Sequence, residues 1–414
     1  LERSYEQAES DSMRVRILKD ISWEYINNRG NAELARQYVD SFNTISQRAN
    51  MPWGLSVAQY QYAVLERHKG NYSQALTHID AYLNFEKTKA DPFATANGLY
   101  QKANILDNLG SYDKSLEIYY DILKIYEDNE DPFSIATTLN AIGEILKITG
   151  KSEQAMENYQ KALAIFTSLN DEGEMANCLY NMGDTYMLQK EYDLALEHFN
   201  KALTLDEAMD SDWGRAYDLE AIGKVYGLQK KYAQALNYHK RALALRDKLG
   251  QQLELSMSYA QIGGIYFEMQ NYPEAEKNML EAIAIGEAIR ARAELHGYYQ
   301  TLSHIYEQTG DFEKALAFKN KSVGLKDSIF NEAKSKQIEE LQVRFDTEKQ
   351  QDAIATLQKD AQINDLKLKQ QKTLRNVVIG LAFAGLLLLY LAFNRYKQKQ
   401  REQQAEEEKK RAIL

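Results

Sequence analysis

The stretch GNYSQAL at residues 70–76 decides the fold, because it returns every 40 residues in the same register. Its further copies are GSYDKSL at 110–116, GKSEQAM at 150–156, KEYDLAL at 190–196, KKYAQAL at 230–236, QNYPEAE at 270–276, GDFEKAL at 310–316 and, more weakly, GNAELAR at 30–36. A fixed period of this size is typical of stacked supersecondary units, each of which buries its apolar face on the next. We therefore expect a lead-in at 1–15 and one array at about 16–326, and not two or three globular domains.

One repeat reads as two helices joined by a short turn. In the repeat that contains Gly183, the side chains of Leu179 and Tyr186 fall on one face of the first helix. Ala195 and Phe199 line one face of the second helix. Small residues recur at one position of each helix: Ala63, Ala103, Gly143, Gly183, Gly223, Gly263 and Ser303 in the first, and Ala75, Ser115, Ala155, Ala195, Ala235, Ala275 and Ala315 in the second. A glycine inside a helix costs about 1 kcal/mol relative to alanine, so this recurrence predicts close packing of the two backbones.

Prolines and acidic residues mark the predicted helix starts. The four prolines, Pro52, Pro92, Pro132 and Pro273, all fall at such starts, where the missing N–H costs nothing. Asp91 and Asp131 precede two of them and are candidate N-caps, and Asp193 is expected to cap the second helix of its repeat.

These residues resemble the tetratricopeptide repeat family, which carries Trp/Leu–Gly–Tyr on the first helix of each unit and Ala–Phe–Ala on the second. The resemblance covers about three quarters of the chain and implies an all-α superhelical solenoid of about eight helix hairpins. The unit is 40 residues long here, whereas about 34 is usual. Trp23 stands where a small residue belongs, so the first copy is expected to be a degenerate cap.

In such solenoids the first helices line a concave groove, which the resemblance predicts to be the ligand-binding surface. The predicted groove residues are Asn97, Tyr100, Asn104, Asn140, Glu144, Lys147, Asn177, Tyr180, Asp184, Glu220 and Lys224. This mixture of amides, aromatic rings and both charge signs suits an extended peptide or a partner helix. A structural spacer with a solvated surface is the alternative, and the identity of the ligand stays open.

Composition limits the chemistry that we expect. The formal charge of −10 and the pI near 5.4 argue against nucleic acid as a partner of the array. Cys178 is the only cysteine, which excludes a disulfide framework and a thiolate metal site. The six histidines show no His–x–x–x–His arrangement with a nearby acid. We therefore expect no catalytic residue, no metal and no cofactor.

Residues 327–375 predict a coiled-coil helix. The apolar seam residues are Ile338, Leu341 and Phe345, followed after a shift of phase by Ile354, Leu357, Ala361 and Leu368. Dimerisation is the simplest way to bury this seam, so a homodimer is expected. Signal relay and a passive stalk both fit the segment.

Residues 376–394 read NVVIGLAFAGLLLLYLAFN and contain no charge, with Arg375 and Arg395 at either end. Nineteen helical residues span about 28 Å, close to the hydrocarbon thickness of a bilayer, which predicts one transmembrane helix. Lys and Arg number five in the preceding 20 residues and seven in the following 20. This slight excess favours a cytoplasmic segment at 395–414 and an array outside the cytoplasm.

The order of these parts is similar to the sensory half of bacterial tetratricopeptide-repeat sensor histidine kinases. That resemblance implies a single-pass receptor of the inner membrane with a periplasmic array, a two-component signalling role and a kinase domain beyond Leu414. The chain would then be a piece of a longer polypeptide and would itself have no catalytic activity. Input halves of nucleotide cyclases or helix-turn-helix regulators, and a membrane-anchored scaffold for protein assembly, remain open as alternatives.

Overall fold

The computed structural model describes residues 5, 8, 10–27 and 32–412, with side chains except at 27, 329–348, 350–355 and 406–412. Within these residues the chain is all-helical. The helices are α1 Asp11–Asn27, α2 Ala32–Arg48, α3 Pro52–His68, α4 Tyr72–Lys89, α5 Pro92–Asn108, α6 Tyr112–Asp128, α7 Pro132–Ile148, α8 Ser152–Leu169, α9 Glu172–Leu188, α10 Tyr192–Ala208, α11 Asp212–Leu228, α12 Tyr232–Leu249, α13 Gln252–Glu268, α14 Tyr272–Ile289, α15 Arg292–Thr309 and α16 Phe312–Ala412. Parts of the predicted lead-in at 1–15 and of the first turn at 30–36 lie outside the described residues.

Each odd-numbered helix from α1 to α13 packs against the next even-numbered one, and each pair stacks on its neighbours. The eighth pair is α15 with the start of α16, where the Ser303 hydroxyl donates to the Ala315 carbonyl at 2.8 Å. The all-helical array of about eight hairpins is therefore confirmed. Successive odd-numbered helices such as α7, α9 and α11 also contact one another directly. Their shared solvent-facing side is called the odd-helix surface below.

The turns repeat with a period of 20 residues, half the sequence period. Each contains one residue with a left-handed backbone: Asn50, Gly70, Ala90, Gly110, Glu130, Gly150, Asn170, Lys190, Asp210, Lys230, Gly250, Gln270, Arg290 and Gly310. At the first glycine turn, the Gly70 N–H donates to the Arg67 carbonyl at 3.0 Å and the Asn71 N–H donates to the Glu66 carbonyl at 2.8 Å. These two bonds form a Schellman motif, which ends one helix and leads directly into the next.

The predicted caps are partly confirmed. The Asp91 Oδ1 accepts from the backbone N–H of Phe93 and of Ala94, each at 3.0 Å, and Asp131 caps α7 in the same way. Asp193 was expected to cap α10, and this is wrong. The N-cap is Glu191, and Asp193 lies inside the first turn, because the Schellman turn starts the helix two residues earlier. There its negative charge interacts favourably with the positive end of the helix dipole.

The small residues bring the two helices of a pair into close contact, as the sequence predicts. A Cβ on Gly143 would lie 2.5 Å from the ring of Tyr159, and one on Gly183 would lie 2.8 Å from the ring of Phe199. Both rings are fully buried. Substituents at these glycines would therefore displace the rings that fill the core of each hairpin.

Residues Leu1–Glu340 and Leu341–Leu414 form two separate compact units. In the second unit the seam residues Leu357 and Leu368 are 68% and 55% exposed. The side chains of Ile338, Leu341, Phe345 and Ile354 lie outside the described residues. Helix α16 carries one segment that is long and apolar enough to cross a membrane, and none of it is buried inside the protein.

Candidate ligand-binding surface

All eleven predicted groove residues lie on odd-numbered helices, but they do not form one continuous surface. They lie on α5, α7, α9 and α11, the helices that carry the odd-helix surface. Asn97, Glu144, Asn177 and Lys224 are exposed, whereas Asn140 is buried. The remaining six side chains are half-buried, and most of these make contacts within the array.

Several predicted residues hold neighbouring repeats together. The Lys147 Nζ lies 2.7 Å from the Asp184 Oδ2, and this ion pair links α7 to α9. The buried Asn140 Oδ1 accepts from the Asn181 Nδ2 at 3.2 Å, again between α7 and α9. Within the α5–α6 hairpin, the Tyr119 hydroxyl donates to the Asn104 Oδ1 at 2.8 Å. These polar groups are satisfied inside the protein, so they are less available to a ligand.

Glu220 belongs to a buried ionic cluster formed by α11, α12 and α13. The Arg246 guanidinium is 1% exposed, pairs with the Glu220 carboxylate and donates to the Ser258 hydroxyl at 2.7 Å. The Gln261 Nε2 donates to the other carboxylate oxygen at 2.6 Å. A buried charge needs such partners, so this cluster is best explained as part of the packing between repeats.

Three of the predicted residues meet at a cleft of about 560 Å³ on the odd-helix surface, which we call the central pocket. Residues of α7, α9 and α11 and the end of α10 surround it. The principal lining residues are Glu144, Gly173, Glu174, Asn177, Tyr180, Asn181, Asp206, Trp213, Tyr217 and Asp218. Its size is within the range usual for ligand-binding clefts.

The central pocket opens where one repeat departs from the pattern of the two repeats before it. In the two preceding repeats an aromatic pair occupies this place: Phe93 contacts Tyr126 with ring centroids 6.2 Å apart, and Phe133 contacts Phe166 at 5.7 Å. The residues 40 positions after Phe133 and Phe166 are Gly173 and Asp206. A Cβ on Gly173 would meet only the Asp171 carboxylate, at 3.6 Å. The loss of both rings therefore leaves open space with a carboxylate at its base.

Two buried carboxyl groups lie at that base. Asp206 and Asp218 are 8% and 2% exposed, and the Asp218 Oδ2 has no hydrogen-bond donor among the described residues. Burial, the hydrogen bond to Asp206 and the charge of Asp206 raise the pKa of Asp218 to about 9. Burial also raises the pKa of Asp206, against the opposing effects of Asp218, Ser211 and Arg215. The pair therefore shares a proton near neutral pH.

The entrance carries side chains that the groove prediction missed. Trp213 is 60% exposed, and its ring centroid lies 4.5 Å from that of Tyr217. Glu144 on α7 also lines the pocket. Desolvation by the surrounding protein raises the pKa of its carboxyl; Lys147 opposes this shift, and Asp107 and Asp184 reinforce it. Trp213 occupies the repeat position of Trp53, Phe93 and Phe133, which could have indicated an aromatic series at the helix starts.

A second, smaller cleft of about 320 Å³ contains the predicted residue Lys224. Gln261 and the buried His239 also line it, and the His239 Nδ1 has no hydrogen-bond partner among the described residues. Burial lowers the pKa of His239 to about 4, against the charge of Glu220. This histidine replaces Tyr159 and Phe199 of the preceding repeats, so it fills the hairpin core as a neutral ring.

Comparison with known proteins identifies the repeats. Family models described as tetratricopeptide repeat match residues 94–168, 174–248, 255–290 and 296–328, which together make up more than half of the chain. The chain belongs to the tetratricopeptide repeat family. A search of curated proteins found no match.

Solved structures share the fold at low sequence identity. The apo form of RapI has a TM-score of 0.52 and 16% identity, over 67% of this chain and 99% of that one. A signal transduction ATPase with a tetratricopeptide repeat sensor from Pyrococcus horikoshii has a TM-score of 0.54 and 17% identity, over 81% of this chain and 53% of that one. The Rap conjugation regulator of plasmid pLS20, in complex with the Phr* peptide, has a TM-score of 0.53 and 14% identity, over 77% and 96%. Identities this low show the fold alone.

Proposed function

We propose that the array binds a peptide or a segment of a partner protein on the odd-helix surface, with the central pocket as the main contact. The observation that carries this proposal is the pocket itself, which combines an exposed tryptophan with convergent polar groups on a rigid helical scaffold. A bound peptide on the fold-related pLS20 regulator supports the same mode of recognition for this array.

We further propose that the chain is the input part of a single-pass membrane receptor. The apolar side chains of 376–394 support this proposal: Leu381, Leu388 and Leu389 are each at least 68% exposed. In water such a surface is unfavourable by about 25 cal/mol per Å², whereas a bilayer would cover it. The array would lie in the periplasm, and the paired 327–375 segments would pass a small displacement to a cytoplasmic output. The resemblance to sensor histidine kinases makes a kinase the first candidate for that output.

Site-specific photocrosslinking in intact cells tests the binding surface. A benzophenone side chain at Asn177, which is exposed in the central pocket, should capture a partner peptide that mass spectrometry can sequence. The matched control is Tyr120, which is 49% exposed on α6, an even-numbered helix. Equal capture at both positions, or capture at Tyr120 alone, would contradict binding on the odd-helix surface.

Membrane extraction tests the receptor part separately. The full chain should stay with the membrane after alkaline carbonate washing, and deletion of 376–394 should release it into the aqueous fraction. Recovery of the full chain in that fraction without detergent would refute the membrane span. A membrane-anchored chain that cross-links a partner but changes no phosphorylation in the cell would favour the scaffold function.

A further inference from the structure

The central pocket is strongly acidic. Its fourteen lining residues include four carboxylic acids, Glu144, Glu174, Asp206 and Asp218, and no lysine, arginine or histidine. We propose that it binds one cationic group, a guanidinium or an ammonium, carried by a basic side chain of the bound peptide. The peptide origin of that group rests on the proposed function above, whereas the preference for a cation rests on the pocket alone.

The buried Asp218 supplies the first argument. Its Oδ2 has no donor in the part of the chain that the structure describes, and the carboxyl beside it, Asp206, is another acid. A buried acceptor without a donor is costly, and two facing carboxyl groups need either a shared proton or a cation. A guanidinium presents several N–H donors in one plane and can satisfy both carboxylates at once. The bound cation would thus take the place of the shared proton.

The cations of the array near this pocket already have partners. Lys147 lies 2.7 Å from Asp184, and Arg215 pairs with Asp212 and, at 3.3 Å, with Asp210. Arg246 contacts Tyr217 from 5.4 Å but pairs with Glu220. Because these three cations are held in ion pairs, none of them is free to neutralise the pocket, and a cation of a ligand could do so.

The aromatic entrance favours the same class of ligand. Trp213 and Tyr217 lie 4.5 Å apart with their ring planes inclined by 44°, so together they present ring faces and edges at the mouth. A cation within about 6 Å of an indole or phenol face is attracted by the ring quadrupole. Glu144 and Glu174 lie among the other lining residues, so an incoming cation also meets negative charge there.

The test uses the full chain in detergent and two small neutral-backbone probes of equal shape, N-acetyl-arginine methylamide and N-acetyl-citrulline methylamide. The first carries a guanidinium, and the second carries an uncharged urea. Calorimetry should show saturable binding of the arginine probe with a Kd on the order of 1 mM or tighter, and at least about tenfold weaker binding of the citrulline probe. Equal binding of the two probes, or no saturable binding of the arginine probe, overturns the inference.

Three variants locate the binding site. Asp218→Asn should weaken arginine-probe binding by about tenfold or more while it leaves citrulline-probe binding unchanged. Gly173→Phe restores the ring of the preceding repeats, so it should abolish binding of both probes without loss of helicity. The matched control is Glu294→Gln, because Glu294 occupies the repeat position of Glu174 but lies outside the pocket. If Asp218→Asn binds the arginine probe like the wild type, the assigned site is wrong.

Probe binding and photocrosslinking together separate this inference from the proposed function. Photocrosslinking at Asn177 without any preference for the arginine probe would leave peptide binding in place and refute the cation. Selective binding of the arginine probe without captured peptide would keep the cation site and refute the peptide function.

Discussion

The Asp218→Asn variant should change the pH dependence of stability in a defined direction. Asp218 is 2% exposed on α11, and its burial beside Asp206 raises its pKa from 3.8 to about 9. The folded protein therefore keeps a proton on Asp218 at pH values where the unfolded chain has released it. Stability from this group is complete below pH 4 and is lost as the pH rises towards 9.

The magnitude follows from linkage. Each pH unit between the two pKa values costs about 1.4 kcal/mol of unfolding free energy, because the folded state binds one more proton. Asparagine keeps the size of the side chain and removes its titration. The free energy of unfolding of Asp218→Asn minus that of the wild type should therefore increase by up to about 4 kcal/mol between pH 5 and pH 8.

Urea unfolding of the full chain in detergent, followed by circular dichroism at several pH values, measures this difference. The dependence on urea must be the same for both proteins, so that the midpoints report stability. Asp212→Asn is the control, because hydrogen bonds to Lys248 and Arg215 lower the pKa of Asp212 and place its effect in acid. A difference that stays constant from pH 5 to pH 8 would show that Asp218 is ionised in the folded protein and would refute the shared proton.

Three further predictions concern the scaffold. Gly143→Ala should lower the free energy of unfolding by about 1 kcal/mol, because its Cβ would lie 2.5 Å from the Tyr159 ring. Gly264→Ala has open space around it and should raise the free energy of unfolding by about 1 kcal/mol. Equal effects of the two variants in urea unfolding would contradict the close packing at Gly143. Ala90→Gly should stabilise by about 0.5 kcal/mol, because Ala90 has φ 54° and left-handed alanine is strained; a lower urea midpoint would refute this. The Cys178 thiol, whose pKa burial raises to about 12, should resist iodoacetamide at pH 8 unless urea is present; rapid labelling of the folded chain would contradict its burial.

The repeat fold could be predicted because its determinants are local. Each sequence signal depends on contacts within one hairpin. These signals are the small residues 40 positions apart, the prolines at helix starts and the turn phrases. The N-cap of α10 could not be predicted in this way, and the assignment to Asp193 was wrong. The N-cap depends on where the preceding helix ends, and the same left-handed turn forms at Lys190 as at Gly150 although only one of them is glycine.

The site could be predicted less well, because the contacts that decide it join different repeats. Lys147 and Asp184 are 37 positions apart, and the helix face on which each lies does not reveal their ion pair. The same holds for Glu220 on α11 with Gln261 on α13, which are 41 positions apart. The odd-helix pattern therefore placed all eleven residues on odd-numbered helices but could not separate accessible side chains from those that bind another part of the array.

The sequence does show the central pocket, as a change of residue type between equivalent positions of successive repeats. Successive hairpins impose nearly the same backbone at each position, so a change of residue type at one repeat acts on an otherwise constant setting. Relative to the ring pair Phe133 and Phe166 of the preceding hairpin, Gly173 and Asp206 remove apolar volume and add a buried acid, as Glu86 does at the same repeat position. A buried carboxyl is costly unless a partner satisfies it. The change of residue type relative to the two preceding hairpins therefore marks the pocket that we propose as the binding site.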